Sequence, residues 1–217
     1  IQQELGLPHF AARTMVAHGV NSLEEARAFL APDIERDWLN PYTIPQLGAA
    51  VDRLERAVRD DERIVVFGDF DLDGISATTV LTRGLQFLGA NAAPLIPKRF
   101  EEGYGITPPA FERAKAFKPD LIVTVDCGIA SGDIAPTVLA EGIDLVVTDH
   151  HEPGDLVPEG VVVCDPKCDP ECESGILAGV GVALKIIQAL GARFGKPHLW
   201  REYTDFATLG TIADLMP

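Results

Sequence analysis

The stretch that decides the fold is residues 64–74, whose sequence is IVVFGDFDLDG. Its first four residues, Ile64–Phe67, are apolar, which predicts a short buried strand. The seven residues that follow are glycines and aspartates with two apolar side chains between them, which predicts a loop. A carboxylate-rich loop directly after a buried strand is therefore the starting point for both the fold and the chemistry.

Apolar runs of the same kind recur along the chain. The runs are Ile64–Phe67, Ala93–Ile96, Leu121–Val125, Leu145–Val147 and Val161–Cys164. Helical stretches separate the first four, and two more come after the last run, near Ile75–Leu88, Pro108–Phe117, Ile134–Glu141, Ile176–Phe194 and Tyr203–Ala213. Strands that alternate with helices predict an α/β fold, a doubly wound, mostly parallel sheet flanked by helices.

The sequence before the first strand has a different pattern. Ser22 and Glu25 have the spacing of a capping box, which predicts a short helix that runs to about Leu30. A linker rich in breakers follows, and then apolar residues repeat at helical spacing up to about Asp60. We therefore predict that residues 1–60 form a helical N-terminal extension and that residues 61–217 form the α/β domain.

Composition limits the classes of protein that the chain can belong to. Its 217 residues are 47% hydrophobic, which is enough for a core and argues against wholesale disorder. The longest apolar runs have four or five residues, whereas a membrane-spanning helix needs about 20. The net charge of −15 argues against a nucleic-acid partner, unless bound divalent cations offset part of it. Four cysteines are too few for a disulfide framework at this length, and we predict a cytoplasmic protein without a membrane partner.

Carboxylates and imidazoles collect where the predicted strands end. Asp69–Asp73 follows the first strand, Asp126 follows the third, and Asp149-His150-His151 follows the fourth. In an open parallel sheet these ends meet at one edge, so the like charges would repel one another strongly without a positive charge between them. A pair of divalent cations satisfies this requirement. Ligands that are mostly carboxylate oxygens with one imidazole suit Mn²⁺ or Mg²⁺ better than zinc.

Each piece also has a simpler reading. Acidic loops are common at protein surfaces, and the loop lacks the later Glu of a calcium site. Asp126 could cap the following helix. Two adjacent histidines after an aspartate at a strand end are seldom needed for packing, so the Asp149–His151 triplet is the sharper indication of a functional site.

These motifs carry a resemblance to a known family. Four of them resemble the motifs of the DHH phosphoesterase superfamily, namely Asp69–Gly74, Asp126–Gly128, Asp149–His151 and Gly210–Asp214. Two intervening segments, Ile96–Gly105 and Leu177–Lys185, resemble the RecJ branch, the bacterial single-strand-specific DNA exonucleases. In that family a smaller domain of the DHHA1 type follows, joined by a long helix. Because the sequence ends at the fourth motif, we expect that domain to be absent from this chain.

The resemblance implies a two-metal site. The implied metal ligands are Asp69, Asp71, Asp73, Asp126, His150 and Asp214. Asp126 would bridge the ions, Asp71 would hold the first ion, and Asp73 would hold the second. His150 and Asp214 would complete the second site. Asp69 would lie at the first site, either as a ligand or next to a ligand without binding the ion itself. Many members carry a histidine where this chain has Phe67, so we expect a weaker first site.

The resemblance also suggests groups that act on the substrate. His151 would point at the scissile phosphate, and Asp149 would orient its neighbours. Arg99 and Lys98 would bind phosphate, although a solvated charge pair in a loop is the alternative. Tyr104 could stack on a base or simply complete a turn. Gly179 and Gly181 would let the backbone approach a substrate phosphate or would only allow close helix packing. A zinc site at Cys164, Cys168 and Cys172 lacks a fourth ligand, which favours incidental thiols.

The implied activity is metal-dependent 5′ to 3′ digestion of single-stranded DNA in repair and recombination, with Mn²⁺ or Mg²⁺ as cofactor. Its implied partners are single-stranded DNA, a single-strand-binding protein and a helicase, and we expect a monomer. One alternative is a family phosphodiesterase for short oligonucleotides or cyclic dinucleotides. Another is a catalytically silent scaffold, although apart from Phe67 every expected ligand position is filled.

Overall fold

A computed structural model describes residues 1–216, with all of their side chains except that of Glu35. The chain forms two compact units that divide after Asn40. The first unit contains four short helices, α1 (Gln2–Leu5), α2 (His9–Ala17), α3 (Leu23–Leu30) and α4 (Ile34–Asp37). The predicted capping box is confirmed, because the Ser22 side chain accepts from the Glu25 amide and the Glu25 side chain accepts from the Ser22 amide.

The second unit is built on a parallel sheet of five strands. The strands are β1 (Arg63–Phe67), β2 (Asn91–Leu95), β3 (Leu121–Val125), β4 (Asp144–Thr148) and β5 (Val162–Cys164). Their order across the sheet is β2-β1-β3-β4-β5, and every pair of neighbours is parallel. The predicted doubly wound sheet is therefore confirmed, and the five strands agree with the five apolar runs.

Six α-helices within residues 41–216 accompany the sheet. They are α5 (Leu47–Arg59), α6 (Leu72–Phe87), α7 (Pro108–Lys115), α8 (Ala135–Ala140), α9 (Gly179–Arg193) and α10 (Thr204–Ala213). Helix α6 packs against both α9 and α10. Helices α7 and α8 contribute Phe111 and Val138 to a core cluster that also contains alternate strand residues such as Val65 and Phe67. Because alternate residues of a strand point to opposite faces, the sheet is covered on both sides.

Helix α5 belongs to the same compact unit as the sheet, whereas the sequence analysis placed it in the extension of residues 1–60. The physical reason is its apolar stripe, of which Leu47, Val51 and Leu54 are fully buried. The stripe packs on α9 and β5. The functional division of the chain into domains stays a prediction.

Two helix starts differ from the expected positions, and both differences involve the carboxylate loop. Helix α6 begins at Leu72 because the Asp71 side chain caps it, accepting from the amide of Gly74 at 2.9 Å. Helix α9 begins at Gly179, three residues later than predicted, because Leu177 and Ala178 are extended. Asp73 then accepts hydrogen bonds from the first amides of α9.

The chain after β1 and the chain after β3 leave the sheet on opposite faces. With the strand order found here, the crevice between these two strands is the topological switch point, where ligands bind in open parallel sheets. This arrangement brings the loop after β1 next to Asp126, the residue that directly follows β3. Among the helices of residues 1–216, none has the length and apolar character needed to cross a bilayer.

Candidate metal centre

The loop after β1 turns tightly because two of its residues are glycines. A Cβ on Gly74 would lie 2.6 Å from the Cβ of Asp69, and one on Gly68 would overlap the hydroxyl of Thr78. The turn leaves Asp71 exposed at the cap of α6 and buries Asp69 and Asp73. One short loop thus presents one exposed and two buried carboxylates.

Asp73 reaches across to the start of α9. Its Oδ2 accepts from the amide of Gly179 at 2.7 Å, and its Oδ1 accepts from the amide of Val180 at 3.0 Å. These bonds satisfy two amides at the helix N-terminus, where a negative charge is favoured. Burial nevertheless dominates and raises the pKa of Asp73 above its usual value. Asp73 is therefore held in place in surroundings that disfavour its ionised form.

Asp126 occupies the centre of the site and has an unusual backbone. Its φ of 59° lies in the left-handed region, which costs free energy for most residues and often marks a functional position. Burial, together with the charges of Asp73 and Asp71, raises the pKa of Asp126 to about 10. A Cβ on Gly179 would lie 2.6 Å from the Asp126 side chain, so only glycine fits there.

Three groups of side chains place potential ligand atoms within 4.8 Å of one another. The groups are Asp69–Asp71–Asp126, Asp73–His150–Asp214 and Asp126–His150–His151. The Nε2 atom of His150 lies 3.0 Å from Asp126 Oδ1, and 3.7 Å from an oxygen of each of Asp73 and Asp214. All six residues expected as metal ligands therefore lie together, and Asp126 belongs to groups on both sides.

The atoms at the centre fit a cation. Asp126 Oδ1 and both ring nitrogens of His150 are buried, and none of them forms a hydrogen bond within the residues that the structure describes, although Oδ1 and Nε2 lie 3.0 Å apart. An unsatisfied buried polar atom costs about 1–3 kcal/mol, and more when it is charged. A divalent ion bound between Asp126 Oδ1 and His150 Nε2 would satisfy both of these atoms. The donor set, mostly carboxylate oxygens with imidazole, is the set that Mn²⁺ and Mg²⁺ accept.

The Asp149–His151 triplet after β4 is held by its own hydrogen bonds. Asp149 is fully buried and accepts from the amides of Ile129 (2.9 Å) and His150 (2.8 Å), and it lies 2.7 Å from His151 Nδ1. Burial acts to raise the pKa of Asp149, but the bond from His151 and these amides bring it below its usual value. In turn, the hydrogen bond to Asp149 raises the pKa of His151 to about 9. The half-exposed His151 ring is thus oriented by Asp149 and carries positive charge at neutral pH.

A row of rings leads from His151 to Arg99. The ring centroid of Tyr104 lies 6.2 Å from that of His151 and 6.4 Å from that of Phe70, edge to face in both pairs. The Arg99 guanidinium lies 4.7 Å from the Phe70 centroid. Arg99 is therefore beside the carboxylate loop, as expected. By contrast, Lys98 pairs with the exposed Glu101 at 2.8 Å. Phosphate binding by Arg99 and Lys98 stays a prediction.

The two glycines at the start of α9 are buried. The Gly179 amide is used by Asp73, and a Cβ on Gly181 would lie 3.1 Å from the Leu177 side chain. These contacts supply the packing role that the sequence left open beside substrate binding. Their predicted role in phosphate binding stays a prediction.

Two residues near the site had no role in the sequence analysis. Phe70 supports Arg99, although in the sequence it appears only as a spacer between two aspartates. Asp165 directly follows β5 and is fully buried, and its Oδ2 has no hydrogen-bond partner in the described part of the chain. Burial raises the pKa of Asp165 to about 6. Its position after a strand, the rule that singled out Asp126, was the signal that could have found it.

The three cysteines at the end of β5 and in the segment after it do not assemble a metal site. Cys164 is buried, Cys168 is exposed and Cys172 is half-buried, and all of them are free thiols. No group of potential ligands within residues 1–216 combines the three. This agrees with incidental thiols.

Comparison with known proteins gives a family and several relatives. Residues 63–211 match the model of the DHH family, N-terminal domain, so Asp214 lies just beyond the matched part. The chain is 38% identical over its whole length to the single-stranded-DNA-specific exonuclease RecJ of Bacillus subtilis. It is 43% identical over 76% of its length to the RecJ of Thermus thermophilus. It spans only about a quarter of either relative, 27% and 24%.

Solved structures of RecJ exonucleases are also similar to this chain. A crystal structure of exonuclease RecJ bound to manganese superposes with a TM-score of 0.73 at 40% identity, covering 80% of this chain and 44% of that one. RecJ of Thermus thermophilus in complex with Mn²⁺ superposes with a TM-score of 0.66 at 38% identity, covering 80% of this chain and 25% of that one.

Proposed function

Because this chain belongs to the DHH family, we propose that it forms the catalytic centre of a metal-dependent nuclease that digests single-stranded DNA from its 5′ end. The observation that carries the proposal is the pair of ligand groups that Asp126 connects, beside a half-exposed, oriented His151. The full-length similarity to RecJ exonucleases supports DNA as the substrate and a role in repair and recombination.

Mn²⁺ or Mg²⁺ fits the site, and RecJ structures with each ion are similar to this chain. Asp69, Asp71 and Asp126 would hold one ion, and Asp73, His150 and Asp214 the other. Bound there, the ions would supply an acidified water and draw charge from the scissile phosphate. The chain's part is to keep six ligands in place before any substrate arrives.

His151 acts on the substrate rather than on the ions. Its Nδ1–H is held by Asp149, which leaves Nε2–H as the ring donor available to a substrate. A charged imidazole can donate to a non-bridging oxygen and stabilise the negative charge that develops during hydrolysis. Asp149 thus acts as a positioning residue, and His151 is the catalytic residue.

Arg99 supplies the positive charge that a 5′ end requires. Arg99 lies over the ring of Phe70, which belongs to the same loop as Asp69 and Asp71. It can therefore hold the terminal phosphate while the next phosphate lies at the metal centre. Guanidinium–phosphate pairing is charge-assisted and often bidentate. The single-strand-binding protein, the helicase and the monomeric state are proposed from the resemblance alone, and the cytoplasmic location is proposed from the cysteine content.

The experiment compares substrates in Mn²⁺, using this chain and the longest natural polypeptide that contains it. We expect mononucleotides to be released from the 5′ end of long single-stranded DNA faster than from a dinucleotide or a cyclic dinucleotide. His151→Gln should reduce turnover about 100-fold or more and should leave Mn²⁺ affinity within about twofold. The reverse substrate preference would establish the oligonucleotide phosphodiesterase. Mn²⁺ binding without hydrolysis of any of these substrates would establish the silent scaffold.

A further inference from the structure

A cavity opens beside the metal centre, on the face of the sheet that α7 and α8 cover. Its volume is about 300 Å³. We call it the side pocket, and its lining includes Tyr104, Ile106, Gly128, Ala130, Asp133 and Ile134. These residues come from the loop that leads into α7 and from the turn between β3 and α8. Neither the metal ligands nor His151 line it.

The walls of the side pocket are formed before any ligand binds. Ile106 is buried, and the Thr107 hydroxyl is already engaged, since it donates to the Glu102 carbonyl at 2.6 Å and accepts from the Ala110 amide. On the other side, Gly132 is held by a hydrogen bond from its amide to the Leu156 carbonyl at 2.8 Å. The cavity is therefore a fixed feature of two anchored loops.

The chemistry of the lining selects an uncharged ligand. Among the described residues that line the cavity there is no lysine or arginine, and the one ionisable acid is Asp133. A phosphate would meet this carboxylate without a counter-charge. Apolar side chains make up most of the wall, and the volume is at the lower limit for small-molecule pockets, which suits one heterocyclic ring system.

Tyr104 connects the side pocket to the reaction centre. Its ring forms part of the pocket wall and also lies edge to face with His151, and its hydroxyl donates to the Asp126 carbonyl at 3.5 Å. A nucleotide with a phosphate near His151 can therefore place its base in the pocket. The ring of Tyr104, about half exposed, offers that base a surface to stack on.

We propose that the side pocket binds the base of the terminal nucleotide. This proposal rests on the proposed function, because it takes the neighbouring centre to bind a phosphate of the same nucleotide. An apolar pocket with one aromatic wall accepts every base, since each base has a flat π-face. The pocket would thus secure the terminal nucleotide without selecting sequence.

The test compares ligands that differ only in the base. Deoxyadenosine 5′-monophosphate, thymidine 5′-monophosphate and 2-deoxyribose 5-phosphate are titrated into the chain in saturating Mg²⁺, and binding is followed by amide NMR shifts. We expect both nucleotides to bind about tenfold or more tightly than the base-free sugar phosphate. The shifts of Ala130 and Ile134 should respond to the nucleotides only.

Ala130→Phe places a ring in the mouth of the side pocket and should remove the advantage of the nucleotides. Ala140→Phe, at an exposed alanine at the end of α8, is the matched control and should keep it. Equal affinity for all three ligands, or an unchanged advantage in Ala130→Phe, would overturn the base pocket and leave the proposed function intact. If none of the three ligands bound, the phosphate site of the proposed function would fail as well.

Discussion

The carboxylates at the two ends of the parallel sheet differ in whether an arginine pairs with them. At the amino end, Arg63 pairs with Asp120 at 3.2 Å, and Arg53 pairs with Glu62 at 2.6 Å and with Asp144 at 2.7 Å. At the carboxyl end, Asp69, Asp73 and Asp126 are buried and face one another, and no lysine or arginine among the described residues forms an ion pair with them.

This difference shows which charges the chain balances by itself. At the amino end, the arginines and carboxylates neutralise one another's charge, and several of these side chains reach solvent. At the carboxyl end, burial raises the pKa of all three aspartates, so keeping these carboxylates ionised in the folded chain costs free energy. A cost of this kind is retained where a ligand or a reaction uses it. The comparison therefore predicts that the carboxyl end depends on an added cation and that the amino end does not.

The largest effect should come from adding metal. Because Mn²⁺ binds the folded chain and relieves the repulsion at the carboxyl end, free Mn²⁺ at 100 times the Kd of one site should stabilise the fold by about 2.7 kcal/mol through that site alone. For a chain of this size, that is a rise in Tm of about 5–10 °C. Thermal unfolding in Mn²⁺ and in EDTA measures the difference. Coincident melting curves would mean that the carboxylates do not bind the ion.

A smaller effect, opposite in sign at the two ends, should follow from removing one carboxylate. In EDTA, Asp126→Asn should raise the free energy of unfolding by about 1–2 kcal/mol, because it removes a buried acid that burial and the charges of Asp73 and Asp71 disfavour, and asparagine tolerates the left-handed backbone. The matched Asp144→Asn should lower it by up to about 1 kcal/mol, because it breaks two pairs with arginine. Denaturant unfolding checks both signs. Destabilisation by both variants would remove the contrast between the ends.

The smallest effect concerns an exposed pair at the amino end. The side chains of Arg63 and Asp120 are each about half exposed, so solvent screens their attraction. Arg63→Ala should lower the unfolding midpoint only slightly and should leave Mn²⁺ affinity unchanged. Unfolding at low and high salt, with a parallel Mn²⁺ titration, measures both. A change in Mn²⁺ affinity would show that the two ends are coupled.

Much of the fold and of the site could be predicted because both depend on local patterns. Apolar runs such as Leu121–Val125 mark buried strands, and a parallel sheet collects whatever follows the strand ends at one edge. The strand-end pattern alone therefore predicts Asp71 and Asp126 at the site. The family resemblance added the role of Asp214, which lies at the end of a helix and not after a strand.

Other features depend on long-range contacts that no local pattern encodes. That α5 joins the unit of the sheet follows from which surface its stripe meets, and the stripe itself does not specify that surface. The bond from the Gly179 amide to Asp73 joins residues 106 positions apart. The side pocket exists only because the loops before α7 and α8 lie next to each other.

The central claim, that the carboxyl end of the sheet is a two-metal site, is tested most directly by counting bound ions. Isothermal titration of the chain with Mn²⁺ should give two ions per chain. The ion held by Asp69, Asp71 and Asp126 should bind more weakly, because Phe67 stands where many family members have a histidine. Asp126→Asn should weaken both, because its carboxylate belongs to groups on both sides, and Asp144→Asn should weaken neither. An unchanged two-site titration in Asp126→Asn, or no binding to the unaltered chain, would contradict the account.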